Sequence, residues 1–241
     1  MAPEAFESNL LLGGMPAGIR AEFREALSFV DLPARLMLER RDRPIEHAYF
    51  PTAGIASIVS SEKGGLNIEA ALVGPEGMTG LPLILGDDRG SADVMMQVSG
   101  MGWRIEAAAL SRLLENRACR DRLLCYVHTV MIQIQGTALA YGRGKLEIRL
   151  ARWLLMCHDR ISGDELELTH EFMALMLGVR RAGVTVALHE LEGRALIRST
   201  RGRVLIRDRE GLEAVTGGFY GGPEAHYRRL LPECMTERTP V

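Results

Sequence analysis

Two neighbouring arginines, Arg180 and Arg181, follow Gly178-Val179 and open a stretch in which Val184, Ala187, Leu188 and Leu191 recur at helical spacing. A planar guanidinium presents a fork of donors that matches the O6 and N7 acceptors of guanine. A bidentate contact of that kind is worth about 1–3 kcal/mol of discrimination between bases. Thr185 and His189 fall on the same outward side. Downstream, Ser199-Thr200-Arg201-Gly202 lies between two β-compatible runs and adds hydroxyls and a cation. Thr169 adds a further hydroxyl upstream. Hydroxyls, backbone N–H groups and cations suit phosphate oxygens, whereas arginines at a helix N-terminus suit base edges. The eight residues Thr169, Arg180, Arg181, Thr185, His189, Ser199, Thr200 and Arg201 therefore have the chemistry expected for contact with double-stranded DNA.

Other chemistry is poorly represented. His47, His128, His158, His170, His189 and His226 are scattered, and no His-Glu-x-x-His, phosphate loop or Gly-x-Ser-x-Gly occurs. Enzymatic activity is not expected. Cys119, Cys125, Cys157 and Cys234 match no zinc or iron–sulfur spacing and read as small hydrophobes, so no metal site is expected.

The elements that must carry the basic set can be read locally. Thr169 precedes an apolar-periodic run and is placed as an N-cap, so a first helix spans 170–177. Gly178 stops it where a left-handed residue is needed, and Val179 is the buried pivot of the turn. A second helix covers 180–192. Strands at 195–198 and 203–206 then form a hairpin with a basic tip. Two short helices about a glycine-centred turn, followed by such a hairpin, make a winged helix-turn-helix. Gly183 weakens the second helix, and it either lets the backbone approach DNA or is tolerated.

Ahead of this lies a different texture. The first 30 residues suggest short amphipathic helices. From Asp31 to about Arg104, short apolar runs alternate with turn signals, predicting an antiparallel sandwich or barrel. Separate strands are expected at 48–50, 55–60, 66–73 and 94–98, with a hairpin turn at Glu62-Lys63-Gly64-Gly65. A long helix of about 119–141 then carries Leu123, Leu124, Val127, Val130, Met131, Ile134 and Ala138 at spacings of three and four. Such a helix either crosses a core or pairs with its twin, and the favoured reading is a homodimer through these seven residues. Gly142-Arg143-Gly144 is the candidate hinge, and a further helix runs from Lys145 to about Ile161. This gives an α+β chain, with residues 1–142 as an effector region and dimerisation helix and 143–241 as the winged helix-turn-helix and its tail.

Charge follows the same division. Residues 1–142 carry 13 Lys/Arg against 17 Asp/Glu, whereas residues 143–209 carry 13 against 9. A basic segment behind an acidic front is the asymmetry of a phosphate-binding part joined to a sensing part. With no signal-peptide pattern and no apolar run near 18–20 residues, a cytoplasmic protein without membrane contact is expected.

In its order of elements, and in Leu168-Thr169-His170-Glu171-Phe172, Gly178-Val179-Arg180-Arg181, Leu188-His189-Glu190-Leu191-Glu192, Ala195-Leu196-Ile197 and Asp208-Arg209-Glu210-Gly211-Leu212, the chain resembles the Crp/Fnr family of bacterial transcription regulators. The resemblance covers about residues 30–215. It implies a jelly-roll-like β-roll of the cyclic-nucleotide-binding type, a homodimer through the long helix and a near-palindromic DNA site, with RNA polymerase as a candidate further partner. The family's cyclic-nucleotide binders carry Gly-Glu-Leu and Arg-Ser segments, where this chain reads Gly80-Leu81-Pro82 and Gly90-Ser91. Gly80, Leu81, Arg89 and Ser91 mark the corresponding effector pocket, but without the carboxylate and the arginine, so cyclic AMP is not the expected ligand. An iron–sulfur cluster is not expected either, since no cysteine precedes Cys119. The recognition-helix positions where the family often has a glutamate and a second arginine hold Ala182 and Val186, which implies a different target sequence. The rival reading is a β-roll sensor that acts through protein contacts. The charge of Arg180 and Arg181 favours DNA over it.

Overall fold

The computed structural model describes residues 6–62 and 67–232. Two short helices, α1 (Leu10–Gly13) and α2 (Ala17–Ala26), lead into five strands: β1 (Ser28–Leu32), β2 (Met37–Glu39), β3 (His47–Ser61), β4 (Asn67–Val73) and β5 (Asp93–Glu106), with α3 (Leu81–Ile84) between the last two. All pair antiparallel in the order β1-β5-β3-β4, with β2 also on β5. The expected turns at 51–54 and 99–100 are absent as turns. β3 and β5 each run straight through them, and the pairing register slips between Pro51 and Ala56. Gly54 takes the left-handed conformation at φ 85°, and a Cβ at Gly100 would fall 1.9 Å from the Ala53 carbonyl oxygen. The glycines thus serve bulges that bend two long strands into a roll, and the strands are not interrupted. The Glu62–Gly65 turn lies mostly outside the described residues.

The helical half comes next: α4 (Ala107–Leu113), α5 (Arg117–Arg143) and α6 (Leu146–His158). Asn116 caps α5 by accepting from the N–H groups of Ala118 and Cys119. The break expected at 142–144 is shorter than read, since α5 continues through Gly142 and only Gly144-Lys145 separates it from α6. α6 then folds back beside α5. Buried Arg152 donates to Thr137 Oγ1 (3.3 Å), the Gln133 carbonyl (3.5 Å) and the Phe219 carbonyl (3.0 Å). Gln133 in turn satisfies the backbone of edge strand β4, accepting from the Leu72 N–H at 2.6 Å and donating to its carbonyl at 3.2 Å. An edge strand offers unpaired backbone groups, and α5 covers this one with a side-chain amide.

α5 carries two apolar stripes, where a single stripe was expected. Leu123, Val127 and Val130 are buried in the chain's own core with Phe23, Phe50 and Trp103. Leu124, Met131, Ile134 and Ala138 are exposed, as is Leu139. The roll and the N-terminal helices claim the first stripe, so only the second is available to a partner. By length and hydropathy α5 could cross a bilayer, contrary to the expectation of no such run, but 44% of the relevant window is buried inside the chain.

A second core joins the roll to the C-terminal half. Ile55, Val59 and Leu72 of the roll pack with Trp153, Cys157, Met173, Met176 and Leu188. Glu69 is buried in this seam. Ser57 Oγ lies 2.7 Å from its Oε2, and Trp153 Nε1 donates to its Oε1 at 2.6 Å. Burial pushes the Glu69 carboxyl up to about 7, against hydrogen bonds from Ser57 and Trp153 that pull it down. Folding therefore raises its proton affinity. The stabilisation is full below the ordinary carboxylate range and is lost as pH rises from about 4.5 to about 7. Glu69→Gln should remove this slope, leaving a protein roughly 2–4 kcal/mol less pH-sensitive over that window in chemical denaturation. An unchanged difference between pH 5 and pH 8 would contradict the assignment.

Candidate nucleic-acid interface

The basic set sits on β6 (Glu165–Leu166), α7 (His170–Leu177), α8 (Arg181–Gly193), β7 (Ile197–Thr200) and β8 (Arg203–Ile206), with the strands in the order β6-β8-β7. Thr169 is the N-cap of α7, its hydroxyl accepting from the Phe172 N–H at 3.2 Å. Gly178 ends the helix at φ 61°, as a left-handed C-terminal residue should. The two carbonyls exposed there are taken up from outside the helix: Tyr141 donates to the Met176 carbonyl at 2.9 Å and Arg149 donates to the Leu177 carbonyl. The Arg149 guanidinium also stacks over the Tyr141 ring, 4.0 Å from its centroid. The end of α5 and the start of α6 therefore fix the tilt of α7.

α8 is seated by Val184, Ala187, Leu188 and Leu191, all buried. It starts one residue later than expected. Arg180 is its N-cap in extended conformation, with no side-chain capping bond, and Arg181 is the first helical residue. Both arginines are exposed. Arg181 Nε lies 3.1 Å from Glu171 Oε1, with both side chains mostly in solvent, a pairing that costs little to exchange. His189 is exposed on the same helix. Thr185 has partners that the sequence alone did not show. Its hydroxyl donates to the Arg181 carbonyl at 3.2 Å and lies 3.1 Å from His170 Nδ1. It ties α8 to α7. Gly183 also has a packing reason: a Cβ there would come 3.1 Å from Leu146 of α6.

The hairpin places Thr200 and Arg201 exposed at its tip, with Gly202 left-handed at φ 76°. Ser199 is half-buried, and its N–H donates to Glu192 Oε1 at 3.0 Å, which couples the hairpin to α8. β7 begins at Ile197, two residues after the expected start, because Ala195 adopts φ 60° on leaving α8. Arg203, opposite Thr200, is drawn to Glu165 at 3.1 Å. Thr169, Arg180, Arg181, His189, Thr200 and Arg201 thus remain exposed on α7, α8 and the hairpin.

Two helices beyond the hairpin were not expected. α9 (Arg209–Thr216) is capped by Asp208, and α10 (Gly222–Leu230) returns to the roll, burying Tyr227, whose hydroxyl donates to the Glu76 carbonyl at 2.6 Å. Asp208 with Gly217, and Pro223 with Glu224, were readable start and stop signals. Nearby, Arg160 at the end of α6 meets Glu76 at 2.8 Å, with both side chains largely buried. The surrounding carboxylates hold the Arg160 guanidinium above its usual range even though burial opposes this.

The residues expected to mark an effector pocket, Gly80, Leu81, Arg89 and Ser91, have different surroundings. The Gly80 N–H donates to buried Glu39 at 2.5 Å, whereas Arg89 and Ser91 are exposed and Arg89 reaches Asp88 and the Asp42 carbonyl. A cleft of about 820 Å³ lies elsewhere, lined by Leu72, Val98, Tyr126, Val130, Arg160 and Tyr227 among others. The polar groups of Tyr126, Gln133, Arg160 and Tyr227 along it are already hydrogen-bonded within the protein.

Residues 148–215 match the family model for the Crp-like helix-turn-helix domain. No curated protein matches the chain. Among solved structures, FixK2 from Bradyrhizobium japonicum is similar at 16% identity and TM-score 0.68, over 78% of this chain and 96% of that one. A CRP-family transcriptional regulator from Thermus thermophilus is similar at 20% identity and TM-score 0.66, over 78% and 97%. The c-di-GMP responsive global regulator CLP of Xanthomonas campestris is similar at 17% and TM-score 0.62, over 79% and 99%. At these identities the likeness establishes a common fold.

Proposed function

We propose that this chain, which has the Crp/Fnr transcription-regulator fold and a Crp-like helix-turn-helix domain, regulates transcription by binding double-stranded DNA as a homodimer at a two-fold symmetric site. The observation that carries the reading is the start of α8, where Arg180 and Arg181 both stand exposed, in a domain whose hairpin tip also exposes Thr200 and Arg201. That end enters a major groove, the arginines meet base edges, and Thr169 with the hairpin tip holds the phosphates on either side.

Dimerisation is supported by the exposed stripe Leu124, Met131, Ile134 and Ala138, because 124, 131 and 138 recur at the seven-residue period of a two-helix seam. Met131→Glu should weaken self-association about 100-fold or more, since it replaces an apolar side chain of the seam by a charge in each copy. Sedimentation velocity reads this directly, and an unchanged dimer would exclude α5 as the interface. Control by cyclic AMP is disfavoured by Gly80-Leu81-Pro82 and Gly90-Ser91, which lack the carboxylate and the arginine of the nucleotide binders, and Arg89 is exposed.

The deciding experiment is selection of bound sequences from a random duplex pool. Enrichment of a two-fold symmetric site is the expected result. No enrichment from an intact dimer, with or without cell extract, would overturn the reading in favour of a module that acts through protein contacts.

A further inference from the structure

The outward surface of α8 between Arg181 and His189 has an unusual composition for a helix meant to read polar base edges. Val186 is 58% exposed there, and Ala182, one turn earlier, is exposed too. Thr185, the hydroxyl that could have served, is bound to His170 and to the Arg181 carbonyl. The side chains exposed in the middle of the reading surface, Ala182 and Val186, therefore offer methyl groups. Valine is a weak helix former because its branched side chain is stiff, and nothing among the described residues covers this one.

We infer that this helix reads thymine through its C5 methyl group, with Val186 as the specificity-determining residue and Ala182 beside it. The inference rests on α8 being the DNA-reading helix. In the major groove, guanine presents two acceptors, cytosine an amino donor, adenine an acceptor and a donor, and thymine an acceptor and a methyl. A methyl surface pressed against the first three strips water from polar groups and returns no hydrogen bond. Against thymine it buries methyl on methyl, and the O4 acceptor at the groove floor stays open to water. Each half-site should then hold a thymine next to the base pair contacted by the arginines. The discrimination is made by burial together with the exclusion of unpaired polar edges.

The test uses the full-length dimer and a duplex taken from the selected pool. Each thymine of one half-site is replaced in turn by deoxyuridine, which removes the methyl and leaves base pairing intact. One position should weaken binding by about three- to tenfold, and the others should have little effect. Val186→Ser lies on the exposed face and should leave the thermal unfolding of the protein unchanged. It should bind the thymine duplex more weakly and lose the difference between thymine and deoxyuridine. A wild-type protein indifferent to deoxyuridine at every position, or a Val186→Ser protein that keeps the full penalty, would overturn the inference while leaving DNA binding itself intact. Failure to bind any duplex would instead remove the functional reading on which it rests.

Discussion

Alanine at both Arg180 and Arg181 is expected to lower affinity for the selected duplex by about 100-fold or more, at about 1–3 kcal/mol for each arginine–base pairing removed. Neither change should unfold the protein. Arg180 makes no capping bond from its side chain, and the Arg181–Glu171 pair is exposed, so its loss is worth little. The two arginines can also be told apart by measurement. One that contacts a base relaxes preference at a single position of the site. One that contacts phosphate weakens all sequences equally and lowers the dependence of binding on salt concentration by about one counterion. Equal affinity of wild type and double variant, measured at one fixed salt concentration, would remove α8 from the interface.

Arg160→Ala is expected to cost about 3–5 kcal/mol of stability, the range for breaking a largely buried ion pair and stranding one partner. Arg160 holds Glu76 at 2.8 Å and also donates to the Met156 carbonyl at 2.7 Å, so its removal leaves a carboxylate and a carbonyl short of donors in the seam between α6 and the β4–α3 loop. Urea denaturation measures the loss. Replacing both partners, as Arg160→Met with Glu76→Leu, should recover much of it, because no unpaired charge is then left buried. A single variant within about 1 kcal/mol of wild type would mean that water reaches the pair and screens it.

What could be read in the sequence was what is decided within a few neighbouring residues. Thr169 as a cap, the 170–177 helix and the left-handed Gly178 came out at the residue, because capping and positive φ are local demands. The extent of β3 did not. Pro51 and Gly54 carry the composition of a turn, and only the partner strand β5 shows that they belong to bulges. The long helix was found, but its two faces were merged, since spacing alone cannot say that α2 and the roll cover Leu123 and Val127 while leaving Leu124 and Met131 bare. The hydrogen bonds of Thr185 were hidden for a related reason. A hydroxyl at a surface position looks free until His170 on a neighbouring helix is seen to meet it. The surroundings of Gly80 were least legible, because they bring together distant segments. Glu39, which takes up the Gly80 N–H, comes from a strand far from both motif segments in the chain.

The core that runs from Ile55 and Leu72 into Trp153, Cys157 and Leu188 has a thermodynamic consequence. A chain with an independent sensor and an independent reading head would melt in two steps, and either half could be cut out and studied alone. Here each half completes the other's interior. Heat should therefore melt residues on both sides of Gly144 in one cooperative transition, with calorimetric and van't Hoff enthalpies in agreement. Slow amide exchange should likewise extend across the seam as one protected unit. Any signal that frees the reading head must first supply the free energy that makes the two halves one.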